Sequence, residues 1–215
     1  MRIAVLGATG RTGSELTEQA LAAGHEVVAY VRRPGALALR PGLTVVGGAL
    51  DDADALAGAT AGCDAVVLTL GPKISDSHKP LMQVAVPAAI AAAHRAGVKR
   101  VVVLSALGAG ATLANTRYPY RFGCRTFLAA NFRDHVAGES QLVDSGLHWT
   151  TVHPGPLSDR PRTPHPTVVD ASTGYRMPGA PRTTRADVAA TILGLLDDPR
   201  TYGAQVLVTS AVQSA

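Results

Sequence analysis

Short apolar runs alternate with longer stretches of mixed polarity along the whole chain. The apolar runs are four to six residues long, rich in Val, and apolar at successive positions. Strands that are buried on both faces of a sheet have this composition. The runs predict seven strands, at residues 2–6, 26–31, 43–47, 65–68, 100–104, 149–153 and 205–209.

The stretches between these runs predict helices, at residues 11–23, 53–59, 79–96, 127–145 and 185–196. Gly24, Gly97 and Gly146 lie at helix ends, where a left-handed C-cap is expected. Strands that alternate with helices are joined by right-handed crossovers. The pattern therefore predicts an α/β fold, with a doubly wound, mostly parallel sheet of Rossmann type and helices on both faces.

Two segments break the alternation of strands and helices. Residues 105–125 contain scattered glycines and no clear period, and residues 154–183 contain seven prolines. Both segments follow predicted strands and so emerge at the carboxyl edge of the sheet, where folds of this class bind ligands. We interpret them as a small loop-rich lobe that walls a substrate pocket, with ordinary surface loops as the alternative. Residues 1–215 then form one domain with this lobe.

Composition narrows the class of protein. Hydrophobic residues make up 47% of the chain, which is enough for a sizeable core. No apolar run reaches the roughly 18–20 residues of a membrane span, and none resembles a signal peptide. We therefore expect a cytoplasmic protein without a membrane partner. The net charge is +4, but the arginines are scattered and lack an aromatic platform, so nucleic acid is not an expected partner.

The metal-binding residue types have no ligand spacing. Cys63 and Cys124 form neither a metal motif nor a redox motif, and they are expected to be reduced thiols. The seven histidines are equally scattered. We therefore predict no metal site.

A glycine-rich turn directly follows the first predicted strand and leads into a helix. Gly7 permits a sharp turn at positive φ, Gly10 lets the backbone approach a pyrophosphate, and Gly13 lets the helix pack closely on the strand. The amides at the start of the helix then offer donors and a positive dipole end to phosphates. The predicted dinucleotide-binding residues of this turn are Gly7, Thr9, Gly10, Arg11, Thr12 and Gly13.

The end of the second predicted strand carries arginines where NAD-preferring sites place a carboxylate. The chain reads Tyr30-Val-Arg-Arg-Pro34, with no Asp or Glu to accept hydrogen bonds from ribose hydroxyls. Arg32 and Arg33, together with Arg11, would attract a 2′-phosphate through charge-assisted bonds. This favours NADP(H) over NAD(H) as the cofactor. For Arg33, a solvated surface charge is the alternative.

Further candidate contacts follow the third to sixth predicted strands. Asp51 is placed to reach the adenine amino group, to cap the helix that begins near residue 53, or both. Leu70 and Gly71 would pass along the middle of the cofactor, and Ser105 would stand beside the nicotinamide. Pro154 is the last predicted contact.

Taken together, these motifs resemble the NmrA-like and biliverdin reductase B-like (flavin reductase) branch of the atypical short-chain dehydrogenases. The resemblance covers almost the whole chain. Beyond the glycine turn it is carried by Val31-Arg32, Val103-Leu-Ser-Ala106, Asp134-His135, Ser145-Gly-Leu-His-Trp-Thr150, Pro154-Gly155 and Thr184-Arg-Ala-Asp-Val-Ala189. The resemblance implies a flavin or biliverdin reductase, and it leaves monomer and homodimer open.

Reductases of the wider superfamily use a Tyr-x-x-x-Lys pair, which this chain lacks. Registering the chain on residues 145–147 puts Asn131 and His135 at the Tyr and Lys positions. Tyr118 and Tyr120 lie in the preceding loop, with no Lys four residues later. Reduction of an unactivated ketone needs an acid. A flavin or quinone needs less help, because it is electron-poor and its reduced anion is delocalised.

The leading hypothesis is an NADPH-dependent oxidoreductase that transfers a hydride to a flavin, quinone or similar planar acceptor. Ser105 and His135 are the candidate catalytic residues, with a strand-end capping hydroxyl and a packing histidine as the alternatives. His153 faces the same edge, at a position where the family often carries Arg or an apolar residue. The main rival is a non-catalytic NADP(H)-binding redox sensor of NmrA type. An epimerase or dehydratase would normally retain the Tyr/Lys pair and ranks below both.

Overall fold

A computed structural model describes residues 1–71 and 80–210. Short 3-10 helices lie at Pro34–Ala36, Gly110–Asn115, Ala171–Thr173 and Pro199–Thr201. The other elements, in chain order, are β1 (Arg2–Leu6), α1 (Arg11–Ala22), β2 (Glu26–Val31), β3 (Leu43–Gly47), α2 (Ala53–Thr60), β4 (Ala65–Leu68), α3 (Met82–Ala96), β5 (Arg100–Leu104), α4 (Tyr120–Arg125), α5 (Ala129–Val143), β6 (His148–Pro154), β7 (Leu157–Ser158), β8 (Thr167–Asp170), β9 (Thr183–Thr184), α6 (Arg185–Leu195) and β10 (Ala204–Thr209).

Eight strands form one sheet in the order β3-β2-β1-β4-β5-β6-β10-β8. Their pairings are parallel, except that β8 runs antiparallel to β10 at one edge. The strand order reverses between β1 and β4, and in open α/β sheets the ligand crevice lies outside the carboxyl ends of the strands at that reversal. The predicted doubly wound, mostly parallel fold is confirmed.

Side chains of the central strands alternate between two layers of helices. On one face, Val5 and Val102 pack with residues of α1 and α6, such as Leu16 and Ile192. On the other face, the neighbouring strand positions pack with residues of α2, α3 and α5. Because these strands are covered on both faces, their sequences are near-continuous apolar runs.

The predicted elements agree closely with the observed ones. Five of the seven predicted strands have the predicted ends, whereas β6 is longer by one residue at each end and β10 by one residue at its start. The predicted start of the helix at 79–96 lies partly outside the described residues, and α3 is described from Met82. Gly24, Gly97 and Gly146 have φ of +80°, +71° and +68°, which confirms their left-handed conformation. Within residues 1–71 and 80–210, no helix has the length and hydropathy needed to span a bilayer.

The two segments predicted as irregular contain more regular structure than expected. Residues 105–125 include α4, and residues 154–183 include β7, β8 and β9. The prolines around residues 167–170 hid β8, which is a short edge strand, the place in a sheet where neighbouring proline is tolerated. Asn115 joins the two segments: its Nδ2 donates to the carbonyls of Ala171 at 3.0 Å and Tyr175 at 2.8 Å. The segments therefore pack together as one lobe.

Candidate active site

The glycine turn lies between β1 and α1, at the reversal of strand order. Gly7 has φ of +94°, a conformation that favours glycine. A Cβ on Gly13 would lie 2.1 Å from the carbonyl oxygen of Gly7, so the start of α1 packs directly on the end of β1. A Cβ on Gly10 would meet the same oxygen at 3.1 Å. The positive φ predicted for Gly7 and the close packing predicted at Gly13 are confirmed.

The N-terminus of α1 has no side-chain cap in the described structure. Its N-cap is Gly10, and its first turn contains no acidic residue. The first amides of a helix have no partner within the helix, so here they offer free donors at the positive dipole end. Phosphate oxygens fit this cradle, because glycine leaves no side chain over the backbone. Thr9 and Arg11 are exposed around it, whereas Thr12 is buried.

The N-terminus of α2 is closed instead by a carboxylate. Asp52 Oδ1 accepts a hydrogen bond from the amide of Ala55 at 3.0 Å. The suggestion that Asp51 caps this helix is therefore wrong, because the cap is the residue directly before the first helical residue, Ala53. Asp51 is exposed beside it.

The predicted cofactor contacts lie along one edge of the sheet. The parallel register brings the carboxyl ends of β2, β1, β4, β5 and β6 to the same edge, pairing Leu6 with Tyr30 and Leu68, and Leu104 with Val152. The residues just beyond these pairs therefore stand side by side. They are Arg32 and Arg33 after β2, Gly7 after β1, Leu70 and Gly71 after β4, Ser105 after β5, and Pro154 at the end of β6. Neighbouring strands are about 4.8 Å apart, so the row suits an extended ligand.

The arginines predicted for the 2′-phosphate differ in their surroundings. Arg32 and Arg33 are exposed just past β2. Arg11 is engaged: its Nη1 lies 3.0 Å from Oδ2 of Asp159, whose Oδ1 lies 2.6 Å from Nη1 of Arg185. This chain of ion pairs joins the glycine turn to the lobe. Sequence reasoning missed Asp159, because no spacing signals a contact between residues so far apart in the chain.

A buried polar cluster lies at the ends of β5 and β6, against α5. Ser105 Oγ is hydrogen-bonded to Oε1 of Glu139, and Oε2 of Glu139 lies 3.8 Å from Nε2 of His153. The three residues are 6%, 8% and 0% exposed. Sequence reasoning singled out Ser105 and His153 but missed Glu139. The available signal was its position one helical turn after His135, which puts both residues on the same face of α5.

His153 is a neutral member of this cluster. Its Nδ1 lies 3.1 Å from the carbonyl oxygen of Ala106, which can only accept, so Nδ1 carries the hydrogen. Nε2 therefore accepts from the hydroxyl of Thr151 at 2.8 Å. Burial lowers the pKa of His153 to about 4. Burial likewise raises the pKa of Glu139 to about 7, against the opposing effect of the hydrogen bond with Ser105.

Asn131 and His135 on α5 carry buried polar atoms without partners. Asn131 Oδ1 and His135 Nδ1 have no hydrogen bond to any residue that the structure describes. Burial lowers the pKa of His135, so its ring is neutral at pH 7. A buried polar atom without a partner costs about 1–3 kcal/mol. The assignment of Asn131 and His135 to the Tyr and Lys positions of the superfamily stays a prediction.

Asp134 precedes His135 but has a structural task. Its carboxylate accepts the amides of Leu81 at 3.1 Å, Met82 at 2.9 Å and Gln83 at 3.2 Å. Asp134 therefore caps α3 from α5 and fixes the spacing of the two helices.

The motif at residues 184–189 also has a structural task. Thr184 caps α6 by accepting the amide of Asp187 at 3.0 Å. The buried carboxylate of Asp187 accepts the amide of Thr163 at 2.9 Å and the hydroxyl of Ser210 at 2.5 Å. The motif thereby ties the lobe and the end of β10 to α6.

A cleft of about 450 Å³ opens between the two segments of the lobe. Tyr120 is one wall, and its hydroxyl donates to the carbonyl of Leu107 at 3.0 Å. Burial raises the pKa of Tyr120, so this hydroxyl stays protonated. Ser158 in the wall of the cleft is followed by Asp159, which pairs with Arg11 of the glycine turn. The other lining residues include Pro119, Pro156, Leu157, Pro181 and Arg182.

Two curated relatives cover nearly the whole chain. It is 27% identical to the uncharacterized sugar epimerase YhfK of Bacillus subtilis, over 94% of this chain and 90% of that protein. It is 32% identical to the (4-alkanoyl-5-oxo-2,5-dihydrofuran-3-yl)methyl phosphate reductase of Streptomyces griseus, over 94% of this chain. The chain spans 60% of the length of the Streptomyces protein.

Solved structures share the fold at lower identity. The anaerobillin reductase ChuY from Escherichia coli superposes with a TM-score of 0.81 at 23% identity, covering 100% of both chains. A short-chain dehydrogenase/reductase from Veillonella parvula, in complex with NADP, has a TM-score of 0.79 at 18% identity, covering 100% of this chain and 96% of the other.

The family is settled by a match over most of the sequence. The family described as NAD(P)H-binding matches residues 7–199, from the glycine turn to the end of α6 and beyond. The resemblance to nucleotide-binding proteins of the short-chain dehydrogenase type is confirmed, and so is the nicotinamide dinucleotide as cofactor. The chain belongs to the NAD(P)H-binding family.

Proposed function

We propose that the protein is an NADPH-dependent oxidoreductase that transfers a hydride to a flavin, quinone or similar planar acceptor. The observation that carries this proposal is the row of groups along one sheet edge. An uncapped helix N-terminus lies at the reversal of strand order, exposed arginines lie on one side of it, and Ser105 lies on the other. An extended dinucleotide carries its 2′-phosphate, its pyrophosphate and its nicotinamide one after another. These parts would meet the arginines, the helix N-terminus and Ser105 in that order.

The residues around α1 would hold the cofactor. The amides of its first turn would bind the pyrophosphate, with Gly7 and Gly10 leaving room for it. Arg32 and Arg33 would bind the 2′-phosphate, and Arg11 would share its charge between that phosphate and Asp159. The remaining contacts would be made by Thr9, Thr12, Gly13, Asp51, Leu70, Gly71 and Pro154. When bound, the cofactor supplies the hydride.

The residues beyond the nicotinamide position favour an acceptor that needs little acid catalysis. Ser105 would donate a hydrogen bond to the nicotinamide amide or to an oxygen of the acceptor. Asn131 and His135 would take the places of the Tyr and the Lys of the wider superfamily, respectively, and a neutral, buried imidazole is a poor proton donor. An electron-poor ring takes up a hydride without such a donor, and water supplies its proton.

The cleft and the relatives are consistent with a flat acceptor. Proline, tyrosine and leucine side chains line the cleft, which suits a planar apolar ring. The Streptomyces relative is a reductase of a 5-oxo-2,5-dihydrofuran, a flat ring whose carbon–carbon double bond is conjugated with a carbonyl group. ChuY is a reductase as well.

A redox sensor that binds NADP(H) without turnover is the second candidate. The observation in its favour is that the hydroxyl of Ser105 is already hydrogen-bonded to Glu139. An epimerase, the activity in the name of the Bacillus relative, would need an acid–base pair that the neutral Asn131 and His135 do not supply.

The experiment that tests the proposal is an acceptor screen. Purified protein is mixed with NADPH or NADH and with FMN, riboflavin, biliverdin or a small quinone, and loss of the reduced-nicotinamide absorbance is followed. The proposal expects turnover with at least one acceptor and faster turnover with NADPH. Tight binding of NADPH without turnover by any acceptor would support the sensor. Absence of binding would overturn both.

A further inference from the structure

Glu139 is a buried carboxyl group for which the proposed function has no task. It lies one turn after His135 on α5 and is 8% exposed. In the described structure its one hydrogen bond is with Ser105, the residue placed beside the nicotinamide. A carboxyl group buried without a cationic partner is costly unless it is neutral. Its hydrogen bond with Ser105 points to a role at the site where Ser105 lies.

We propose that Glu139 is a positioning residue that sets the direction in which the Ser105 hydroxyl points. A protonated Glu139 donates its own hydrogen to Ser105 Oγ, and the hydroxyl hydrogen of Ser105 is then free to donate into the site. An ionised Glu139 can only accept, so it takes the Ser105 hydrogen and leaves only a lone pair facing the ligand. The inference rests on the proposed function, in which Ser105 contacts the nicotinamide or the acceptor.

Among residues 1–71 and 80–210, the groups packed around Glu139 do not offset a negative charge. From β6, His153 approaches Glu139 with its unprotonated Nε2. The one ring hydrogen of this neutral histidine is on Nδ1, which donates to the carbonyl of Ala106. On α5 itself, His135 is neutral, and the carboxylate of Asp134 is bound to the amides of α3. From α3, the backbone of Met82 packs against Gly138, the residue directly before Glu139.

These surroundings bring the titration of Glu139 into the physiological pH range. Burial raises the pKa of Glu139 to about 7. Toward the ligand, Ser105 is therefore a hydrogen-bond donor below this pH and an acceptor above it. Since the donor form stabilises the negative charge that develops on the acceptor as it takes up the hydride, turnover should fall about tenfold as the pH rises through this pKa.

The variants Glu139→Gln and Ser105→Ala separate this role from a structural one. Glutamine donates from its amide to Ser105 Oγ at every pH, so E139Q should keep the rate of the wild type at acid pH and show no fall above it. S105A should be flat and about tenfold slower than the acid plateau. Asp144→Asn, at an exposed acid that ends the same helix, should keep the wild-type profile. A purely structural Glu139 would lower the rate in E139Q without flattening the profile, and that result would overturn the inference.

Two readouts do not depend on turnover. The ratio of the NADPH Kd of the wild type to that of E139Q should rise with pH through the pKa of Glu139, and the ratio cancels titration of the cofactor's own phosphate. The Tm of the free proteins gives the second. A folded-state pKa of about 7 against an ordinary value of 4.5 means that the stability contribution of Glu139 is present below the ordinary value and lost as the pH rises through 7. E139Q should therefore match the wild type at acid pH and melt higher above neutrality.

These readouts distinguish the inference from the proposed function. If no acceptor is turned over but the Kd ratio and the Tm difference follow the pKa of Glu139, the inference stands and the proposed oxidoreductase fails. If an acceptor is turned over but E139Q keeps the wild-type pH profile in rate and Kd, the inference fails and the oxidoreductase stands.

Discussion

The N-termini of α1 and α3 begin at the same edge of the sheet and are completed in opposite ways. At α1 the N-cap is Gly10, and no described side chain covers the amides of the first turn. At α3 the carboxylate of Asp134, carried by α5, accepts three amides at 2.9–3.2 Å. A helix N-terminus favours an anion. The chain supplies that anion itself at α3 and leaves the place open at α1, where a bound phosphate would take it.

The largest effect is expected from a substitution at the uncapped N-terminus of α1. Gly13→Ala would place a Cβ about 2.1 Å from the carbonyl oxygen of Gly7 and so push α1 away from β1. We expect loss of measurable NADPH binding by calorimetry, together with about 1–3 kcal/mol of lost stability from overpacking. Gly58→Ala is the matched control, because a Cβ there meets open space in α2. It should leave binding unchanged and raise stability by up to about 1 kcal/mol. Unchanged NADPH binding in G13A would contradict the placement of the phosphates at the N-terminus of α1.

Removing the carboxylate that caps α3 should lower the stability of the protein rather than its affinity for NADPH. Asp134→Ala would leave three amides at the start of α3, one buried and two partly buried, without an acceptor and cost about 3 kcal/mol in urea unfolding. Asp52→Ala removes an exposed cap from α2 and should cost only about 1 kcal/mol. If D134A instead lost NADPH affinity while remaining stable, α3 rather than α1 would be the helix that meets the phosphate.

Charge at the end of β2 decides which dinucleotide binds at α1. Arg32→Glu should weaken NADPH binding roughly 30-fold, because a charge-assisted bond to the 2′-phosphate is worth about 2 kcal/mol. NADH binding should change little, since NADH lacks that phosphate. Equal losses for the two cofactors would contradict the assignment of Arg32.

The smallest effect is expected at the ion pairs between the glycine turn and the lobe. Asp159→Asn would release Arg11, and NADPH affinity should then rise about 2-fold, because exposed ion pairs are worth at most about 1 kcal/mol. Asp198→Asn removes the partner of the exposed Arg200 elsewhere and should have no effect on affinity. A loss of affinity in D159N would mean that the bridge holds the lobe in its binding position.

The same comparison shows which parts of the structure could be predicted from the sequence. The strands and the glycine turn are local patterns, so their ends and the conformations of Gly7 and Gly13 follow from neighbouring residues. The cap of α3 is not local, because Asp134 lies 52 positions after Met82. Glu139 was missed for a similar reason: its partner Ser105 is reached only when α5 packs on the end of β5. Prolines just before Thr167 hid β8, whose role at the sheet edge depends on β10.

The most direct test of the account is the rate of NADPH oxidation by an acceptor found in the screen, measured with unlabelled NADPH and with NADPH deuterated at the transferred position. The account predicts NADPH-selective turnover that is slower with the deuterated cofactor and absent in G13A, because the hydride leaves a cofactor held at the open end of α1. If NADPH binds at α1 but no acceptor is reduced, or if turnover persists in G13A, the central claim is contradicted.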